Sequence, residues 1–485
     1  MDSSARHLFG REVITHDEVE ITDENILEIL DKVMSVHNKN RSEIQYLWDY
    51  YRGKQPILGR EKKVRPEICN RIVENRANEI VSFKVGYLCG EPIQYIGRNG
   101  SEAISKAISE LNEMMFSENK ATQDKRVAEW QAICGTAYRL VLPDTRGGED
   151  DAPFEIYTLD PRDTMVVYSN EVGGKPILAV KYCVTDDNDF VCSVYTSNHF
   201  WKIKNRKIVE TRNHALGIIP IIEYPANTAR LGAFEIVLDL LDSINSVASN
   251  RLDGIEQFIQ AFVKFINCDI TAEDFKELKD LGAIKVKSSD GQQADVDIVT
   301  NELNQMQTQT LVDYLYQTVL TICGMPSMSN GSTSDSSNNG AVILKNGWQG
   351  AETRAKDSEL MFKEAEQNTL RVVLRIIRDT QGLSEEIYAL RLKDIALQFT
   401  RRNYENIQSK AQVLTQMLGQ SKIHPRLAFA HCGLFTDPED AYRVSEEYSK
   451  EQAKLFTIGN SENDEETDEE TEEKESSEDT VETDE

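Results

Sequence analysis

Apolar residues recur at spacings of three and four through most of the chain, which predicts a largely helical protein interrupted by one β-rich stretch. In "ITDENILEILDKVMSVH", Thr22 is a candidate N-cap, and Ile26, Ile29, Leu30 and Val33 fall on one helical face. A second helix is predicted over 42–51, rich in aromatics (Tyr46, Trp48, Tyr50, Tyr51), with a loop at Gly53 and Pro56. A third is predicted over 68–83, marked by Ile72, Val73, Ile80 and Val81 and ended by Gly90 and Pro92. Residues 101–115 and 121–133 read as two more.

From Tyr138 to Tyr224 the texture changes. "APFEIYTLD", "TMVVYSN", "ILAVKYCVTD", "FVCSVYTS", "FWKIKN" and "KIVETRN" are short β-rich runs separated by turn clusters such as "NEVGGKP" and "DDND". The pattern predicts hairpins rather than a parallel βαβ array.

Two long helices follow. Residues 231–266 carry Phe234, Val237, Leu241, Ile244, Ile255, Ile259, Phe262 and Ile266 at helical spacing with no proline, and residues 302–323 repeat the pattern. Between them, "AIKVKSSDGQQADVDIV" reads as two short strands around a turn at 289–292, with Lys285 and Lys287 alternating onto one face. Then comes "CGMPSMSNGSTSDSSNNGAVILK", a run of small polar residues between helical segments. Such a loop costs ordering entropy and buries little. A helix over 348–379, a strand in "LKDIALQFTRRN", a helix over 405–418 and a last helix capped by Asp437 with Pro438 in its first turn complete the α+β prediction.

Composition is ordinary for a soluble chain of 485 residues, 40% hydrophobic and 28% charged. No run approaches the roughly 18 apolar residues of a membrane span, and the N-terminus lacks a secretory apolar stretch, so assembly in a cytoplasm is the expectation. The eight cysteines form no C-x-x-C pair and are expected as reduced thiols in packed interiors. The formal charge is −28; residues 461–485, with fifteen acids and one lysine, hold −14 of it. That tail has a single apolar residue, Val481, too little to fold on, and is read as solubilising, with a docking or DNA-mimicking role as the alternative. The remaining body is acidic too, which argues against a protein whose main task is gripping nucleic acid through lysine and arginine.

Catalytic patterns are missing. The sequence contains no G-x-x-x-x-G-K-[ST], no G-x-G-x-x-G after a strand, no G-x-S-x-G and no H-E-x-x-H. His16 with Asp17 and Glu18, and His424 with His431, are weak metal candidates. No catalytic residue, metal or cofactor is assigned. The basic runs 60–65 ("REKKVR") and 202–207 ("KIKNRK") are expected on solvated loops or strand edges.

Five segments in order resemble the portal proteins of tailed double-stranded-DNA bacteriophages of the siphovirus type. "YYRGKQPIL" (50–58) is similar to that family's "YY-x-G" segment, and "NRIVENRANEIVSFKVGYLCGEPIQY" (70–95) to its "N-x-A…V-x-x-K-x-G-Y-x-x-G-x-P" segment. "LDPRDTMVVYSN" (159–170) matches with Ser169 where Asp is usual. "LGIIPIIEYPANTARLGAFEIVLDLLDSINSVASN" (216–250) resembles "G-x-I-P-V-x-E…G-x-F-E…L-x-D-x-x-N-x-x-x-S". "GMPSMSNGSTSDSSNNGAVILK" (324–345) resembles "G-x-P-x-x-S…S-G-x-A-L-K", departing at Val342 and Ile343. The likeness spans about 38–450.

The resemblance implies a division into parts: an N-terminal helical and β-rich wing (1–230), stem helices (231–266 and 301–323), a clip (267–300) and a tunnel loop (324–345). A long helix returning to the wing (346–400), a helical crown (401–460) and the acidic tail complete it. It implies a dodecameric ring of this chain at one capsid vertex, a conduit for DNA packaging and ejection. Implied partners are double-stranded DNA, the terminase large subunit, a head-completion adaptor, and major capsid and scaffolding proteins, with no membrane. The tunnel-loop candidates are Ser329, Asn330, Ser332, Thr333, Ser334, Ser336, Ser337, Asn338, Asn339 and Lys345; Lys285 and Lys287 are candidate clip contacts, and Arg354 a transient cation. A nucleic-acid-processing enzyme and an acidic scaffold or adaptor are the alternatives.

Overall fold

The computed structural model describes residues 8–63, 65–98, 101–144, 152–259, 262–266, 295–299, 305–326, 348–400, 407–435, 438 and 441–453. The chain divides into two compact units: Met1–Gly90 with Glu113–Leu383, and Glu91–Asn112 with Ser384–Glu485.

In the first unit, one helix serves two cores. α1 (Ile26–Tyr51) joins what the periodicity predicts as two helices. The polar stretch between them is a seam rather than a break. Asn40 holds Glu12 through both backbone groups (2.9 and 2.8 Å), and His37 is buried against Tyr182 and the carbonyl of Arg162. The first half of α1 packs Ile26, Ile29, Leu30 and Val33 onto a sheet; the second half packs Ile44, Leu47 and Tyr50 among helices.

That sheet has six strands in the order β1 (Thr15–His16), β5 (Thr164–Ser169), β6 (Pro176–Val184), β7 (Phe190–Tyr195), β8 (His199–Lys204), β9 (Lys207–Asn213). Every pairing is antiparallel except β1 with β5. The expected hairpin runs all form strands. Alternation places Met165, Val167, Leu178, Val180, Cys192, Val194, Trp201 and Ile203 toward α1. A three-stranded antiparallel sheet, β10 (Ile221–Pro225), β3 (Thr136–Pro143), β4 (Phe154–Leu159), packs Tyr138, Leu140 and Ile221 against Val166 and Ala179.

α2 (Arg76–Cys89) begins eight residues later than its apolar marks predict, and 70–75 run irregularly up to a left-handed Asn75 (φ 44°). α3 (Glu102–Ser117) and α4 (Lys120–Cys134) lie close to their predicted ranges. α4 ends at Gly135 (φ 80°), where a Cβ would sit 2.0 Å from the Arg230 carbonyl oxygen. Side chains cannot fit there, so the α4–β3 corner lies flat on the chain entering the next helices.

α5 (Leu238–Ile259) corrects the predicted helix over 231–266. It starts after a 3-10 turn at Glu235–Val237 and stops at Ile259, and Phe262–Ile266 is β11, paired antiparallel with β12 (Asp295–Val299). The aromatic and β-branched run "FVKFI" favours the extended chain once a partner strand is available. The predicted strand at 283–288 and its turn lie outside the described residues. α6 (Gln305–Cys323) and α7 (Trp348–Asp379) follow.

In the second unit, β2 (Gln94–Gly97) pairs antiparallel with β13 (Ile395–Gln398), the strand expected in "LKDIALQFTRRN". α8 (Glu385–Ala389) is capped by Ser384; α9 (Ile407–Leu418), α10 (Pro425–Cys432) and a helix over 441–453 complete the unit. Asp437 lies outside the described residues. The seven cysteines among the described residues are free thiols. Cys134, Cys192, Cys323 and Cys432 are buried as expected, whereas Cys183 is exposed, because alternation along β6 turns it away from the α1 face shared by Leu178, Val180 and Tyr182.

Candidate functional site

α5 and α6 form an antiparallel pair anchored at one end. Phe234, Val237, Leu238, Leu241 and Ile244 enter the same core as Val319, Leu320, Cys323 and Met325. Toward the other end Arg251 donates to Gln309 (2.7 Å). Residue numbers thus rise along α5 as they fall along α6, and the free ends meet the β11–β12 ladder. At 1.5 Å per residue the helices are roughly 33 and 28 Å long.

A strap fastens α5. Asn245, Ser249 and Asp253 lie four residues apart on one face, and they accept hydrogen bonds from the backbone N–H groups of Glu74 (2.9 Å), Ile72 (2.9 Å) and Asn70 (2.7 Å). Four helical residues rise about 6 Å and two extended residues about 6.6 Å, so the ladders stay in step. This is why 70–75 do not join α2: the N–H donors of Asn70, Ile72 and Glu74 are already satisfied. Asp253 also takes Arg60 (2.9 Å) and Lys62 (3.1 Å). Burial alone would raise its pKa, but the Asn70 backbone N–H, Lys62, the Asn70 side chain and Arg60 outweigh it and hold the carboxyl below its usual range. The "REKKVR" run is therefore no solvated loop throughout; two of its cations clasp a buried carboxylate.

Further ties fix the core end. Tyr50 Oη donates to Asp242 (2.9 Å), and Tyr316 Oη donates to Glu79 (2.5 Å) with Arg76 over its ring at 4.2 Å. Burial, then Glu79, pushes the Tyr316 hydroxyl up to about 12.

α6 has an unusual surface. Across its nineteen residues the only charge is Asp313, and none is Lys or Arg. Gln307, Thr310, Gln317 and Thr321 are exposed. The hydroxyls of Thr310, Thr318 and Thr321 donate back to the carbonyls of Met306, Tyr314 and Gln317, which leaves them few free donors.

The loop candidates Ser329, Asn330, Ser332, Thr333, Ser334, Ser336, Ser337, Asn338, Asn339 and Lys345, and the clip candidates Lys285 and Lys287, lie outside the described residues. The flanks are described. α6 ends at Gly324 (φ 62°), whose missing Cβ leaves room for Arg354, and Arg354 donates to the carbonyl of Ile322 (2.6 Å). Arg354 is thus committed to capping α6 rather than being a free cation. Neither histidine group forms a metal site. His16 accepts from the Glu18 N–H, His424 caps α10 by accepting from the Arg426 N–H, and among the described residues no three His, Cys, Asp or Glu could hold a metal. Sequence reasoning missed Asn245, Ser249 and Asp253. Their signal is three small polar residues spaced by four within an apolar helix.

The class these features define is an α+β protein that presents an anchored helical pair with a near-uncharged face. The chain belongs to the phage portal protein family, SPP1 Gp6-like, whose family model matches residues 30–475. Asp242, Asn245 and Ser249, the polar residues of the portal-like run, are the ones that fasten α5. A comparison with curated proteins gives no significant match. Portal proteins are structural, and as a member this chain has a phage portal role as a component of the virion capsid. Among the described residues no helix is long and apolar enough to cross a membrane.

Proposed function

We propose that this chain forms a closed, dodecameric ring at one capsid vertex, and that double-stranded DNA is packaged and ejected through its centre. In this reading α5 and α6 are the stem and 267–300 the clip, where Lys285 and Lys287 meet the terminase large subunit and later the head-completion adaptor. The loop 324–345 borders the channel, and the wing (1–230, with the return over 346–400) and crown (401–460) face capsid and scaffolding proteins. Assembly occurs in the host cytoplasm.

The observation that carries the reading is the surface of α6. Duplex DNA bears one negative charge per about 1.7 Å of axis, and cationic side chains that neutralise phosphates hold it tightly. A conduit has to pass thousands of phosphates without retaining them. A helix with one carboxylate, no cation and self-bonded hydroxyls offers a wall of that kind, and the strap and tyrosine ties keep it at a fixed position. Small polar residues in the adjoining loop make brief contacts and reshape cheaply.

Electron microscopy of the purified protein is expected to show rings with a central hole, and native mass spectrometry a twelve-fold mass. Monomers at micromolar concentration overturn the ring. Deleting Ser332–Asn339 is expected to leave rings intact and abolish packaging; normal packaging overturns the role of the loop. Rings are expected to survive removal of 461–485, which separates this reading from an adaptor working through its acidic tail.

A further inference from the structure

The first unit carries a groove between α2 and α7. It holds about 520 Å³ and is walled by Phe83, Tyr87 and Leu88 of α2, Ile236 before α5, and Leu360 and Met361 of α7. Ile236 and Leu360 are 54% and 66% exposed, so its lip offers apolar surface to the outside. Two cations line it, Lys84 and Arg354. Lys84 is half-buried and has no hydrogen bond or ion pair among the described residues, and burial pulls its ammonium below the usual range, with Arg354 pulling the same way and Cys323 opposing. Arg354 is exposed, bonds the Ile322 carbonyl, and meets no carboxylate among the described residues. Asp357 lines the same groove but lies beyond ion-pair distance of both.

This is out of keeping with the rest of the chain, which has 82 acidic residues against 54 basic. Elsewhere in the unit, half-buried and buried cations meet carboxylates: Arg76 with Glu79, Arg139 with Glu366, Arg230 with Glu223. A half-buried ammonium without a counter-ion is costly. An apolar trough with a half-buried ammonium that lacks a counter-ion among the described residues, Lys84, beside the guanidinium that caps α6, therefore fits an occupant that combines an apolar side chain with a carboxylate. A DNA backbone fits less well, since it would have to enter an apolar-walled trough.

We propose that this groove seats a second copy of this chain, whose inserted segment places a carboxylate on Lys84 and Arg354. The proposal rests on the ring reading above and says where one of its contacts lies. A ring contact is heterologous, so a groove on one subunit meets a different surface of the next. With acids outnumbering bases across the chain, the next subunit has carboxylates to offer.

The test begins with the full-length chain, whose ring assembly is followed by native mass spectrometry against concentration. Lys84→Glu combined with Arg354→Glu is expected to raise the concentration for half-assembly by about tenfold or more, because a like charge then faces the incoming carboxylate. In parallel, Leu360→p-benzoylphenylalanine is photolysed in a mixture of isotopically light and heavy chains. Light–heavy cross-linked peptides are expected. If the wild-type chain forms rings but the charge-reversed chain assembles at the same concentration, or if cross-links join only peptides of one chain such as 327–347, the groove proposal fails and the ring stands. If the wild-type chain forms no rings, both fail. Should charge reversal prevent folding, the cross-link decides alone.

Discussion

Arg139 on β3 and Glu366 on α7 lie 227 positions apart in the chain and 2.7 Å apart in the fold, both fully buried. Around them Asp124 takes the other arm of the guanidinium (2.5 Å), Lys120 reaches Glu366 (3.3 Å), and Tyr224 donates to Glu366 (2.6 Å). Two cations meet two carboxylates in direct contact, which rivets α7 onto the small sheet. Removing one member leaves a buried charge uncompensated. Glu366→Leu is expected to cost roughly 3–5 kcal/mol, read as a lowered denaturant midpoint. Arg139→Leu in the same chain is expected to restore part of that loss, since it removes the stranded charge. A single variant as stable as the wild type would show that the network holds nothing together.

The strap on α5 gives a second prediction. Asp253→Asn keeps the shape but weakens four contacts, and it is expected to lower stability by about 1–3 kcal/mol. The pH dependence has a definite sign. The folded carboxyl titrates below its unfolded value near 4, so its contribution is present above that value and is lost as pH falls through the lower folded one. The gap between wild type and variant should therefore be widest near neutrality and shrink below about pH 4. A gap independent of pH would mean that the charge of Asp253 contributes nothing.

Asp253 also shows what the sequence conceals. Strand positions were legible because alternation is local: "KIVETRN" predicts β9 at Lys207–Asn213 with no help from elsewhere. α7 was legible for the same reason. Ile72 and Val73 looked helical, yet they lie in the strap, because partners some 170 to 180 positions away take the backbone donors. The end of α5 was missed because the periodicity of Phe262 and Ile266 is equally compatible with a short strand, and only β12 decides between them. At the candidate site, the lack of cations on α6 could be read from composition. The fastening residues and the commitment of Arg354 could not, since both depend on tertiary contacts.

His37 supplies a pH effect of the opposite chemical kind. It is buried against Tyr182 (3.1 Å), and burial, which outweighs its bond to the Arg162 carbonyl, brings its pKa down to about 4. The unfolded chain takes up this proton near 6.5, so between about 6.5 and 4 it binds more protons than the folded one and stability falls as pH is lowered. The slope from this group is at most about 1.4 kcal/mol per pH unit. His37→Gln, which keeps a hydrogen-bonding group without the titration, is expected to flatten the stability profile in that window. An unchanged slope would place the acid sensitivity elsewhere.

The surface of α6 carries the functional argument, and it can be tested by adding what is missing. Thr310, Gln317 and Thr321 are outward-facing or near it and contribute no buried packing. Replacing all three by lysine should therefore leave assembly unaffected, with stability changed by about 0.5 kcal/mol or less. Repeated around a ring, the change would place a belt of cations along a wall that now has one carboxylate per helix. Each phosphate newly neutralised steepens the dependence of log affinity on log salt by about 0.9. Variant rings are expected to retain short duplex DNA at low salt, to release it steeply as salt rises, and to package more slowly than wild type. Threonine or serine in place of Gln317 should have none of these effects. If the lysine variant packages at the wild-type rate and retains no DNA, α6 does not line the path of the polymer. Its uncharged surface would then have to be explained by contacts between neighbouring subunits, where burying uncompensated charge is just as costly.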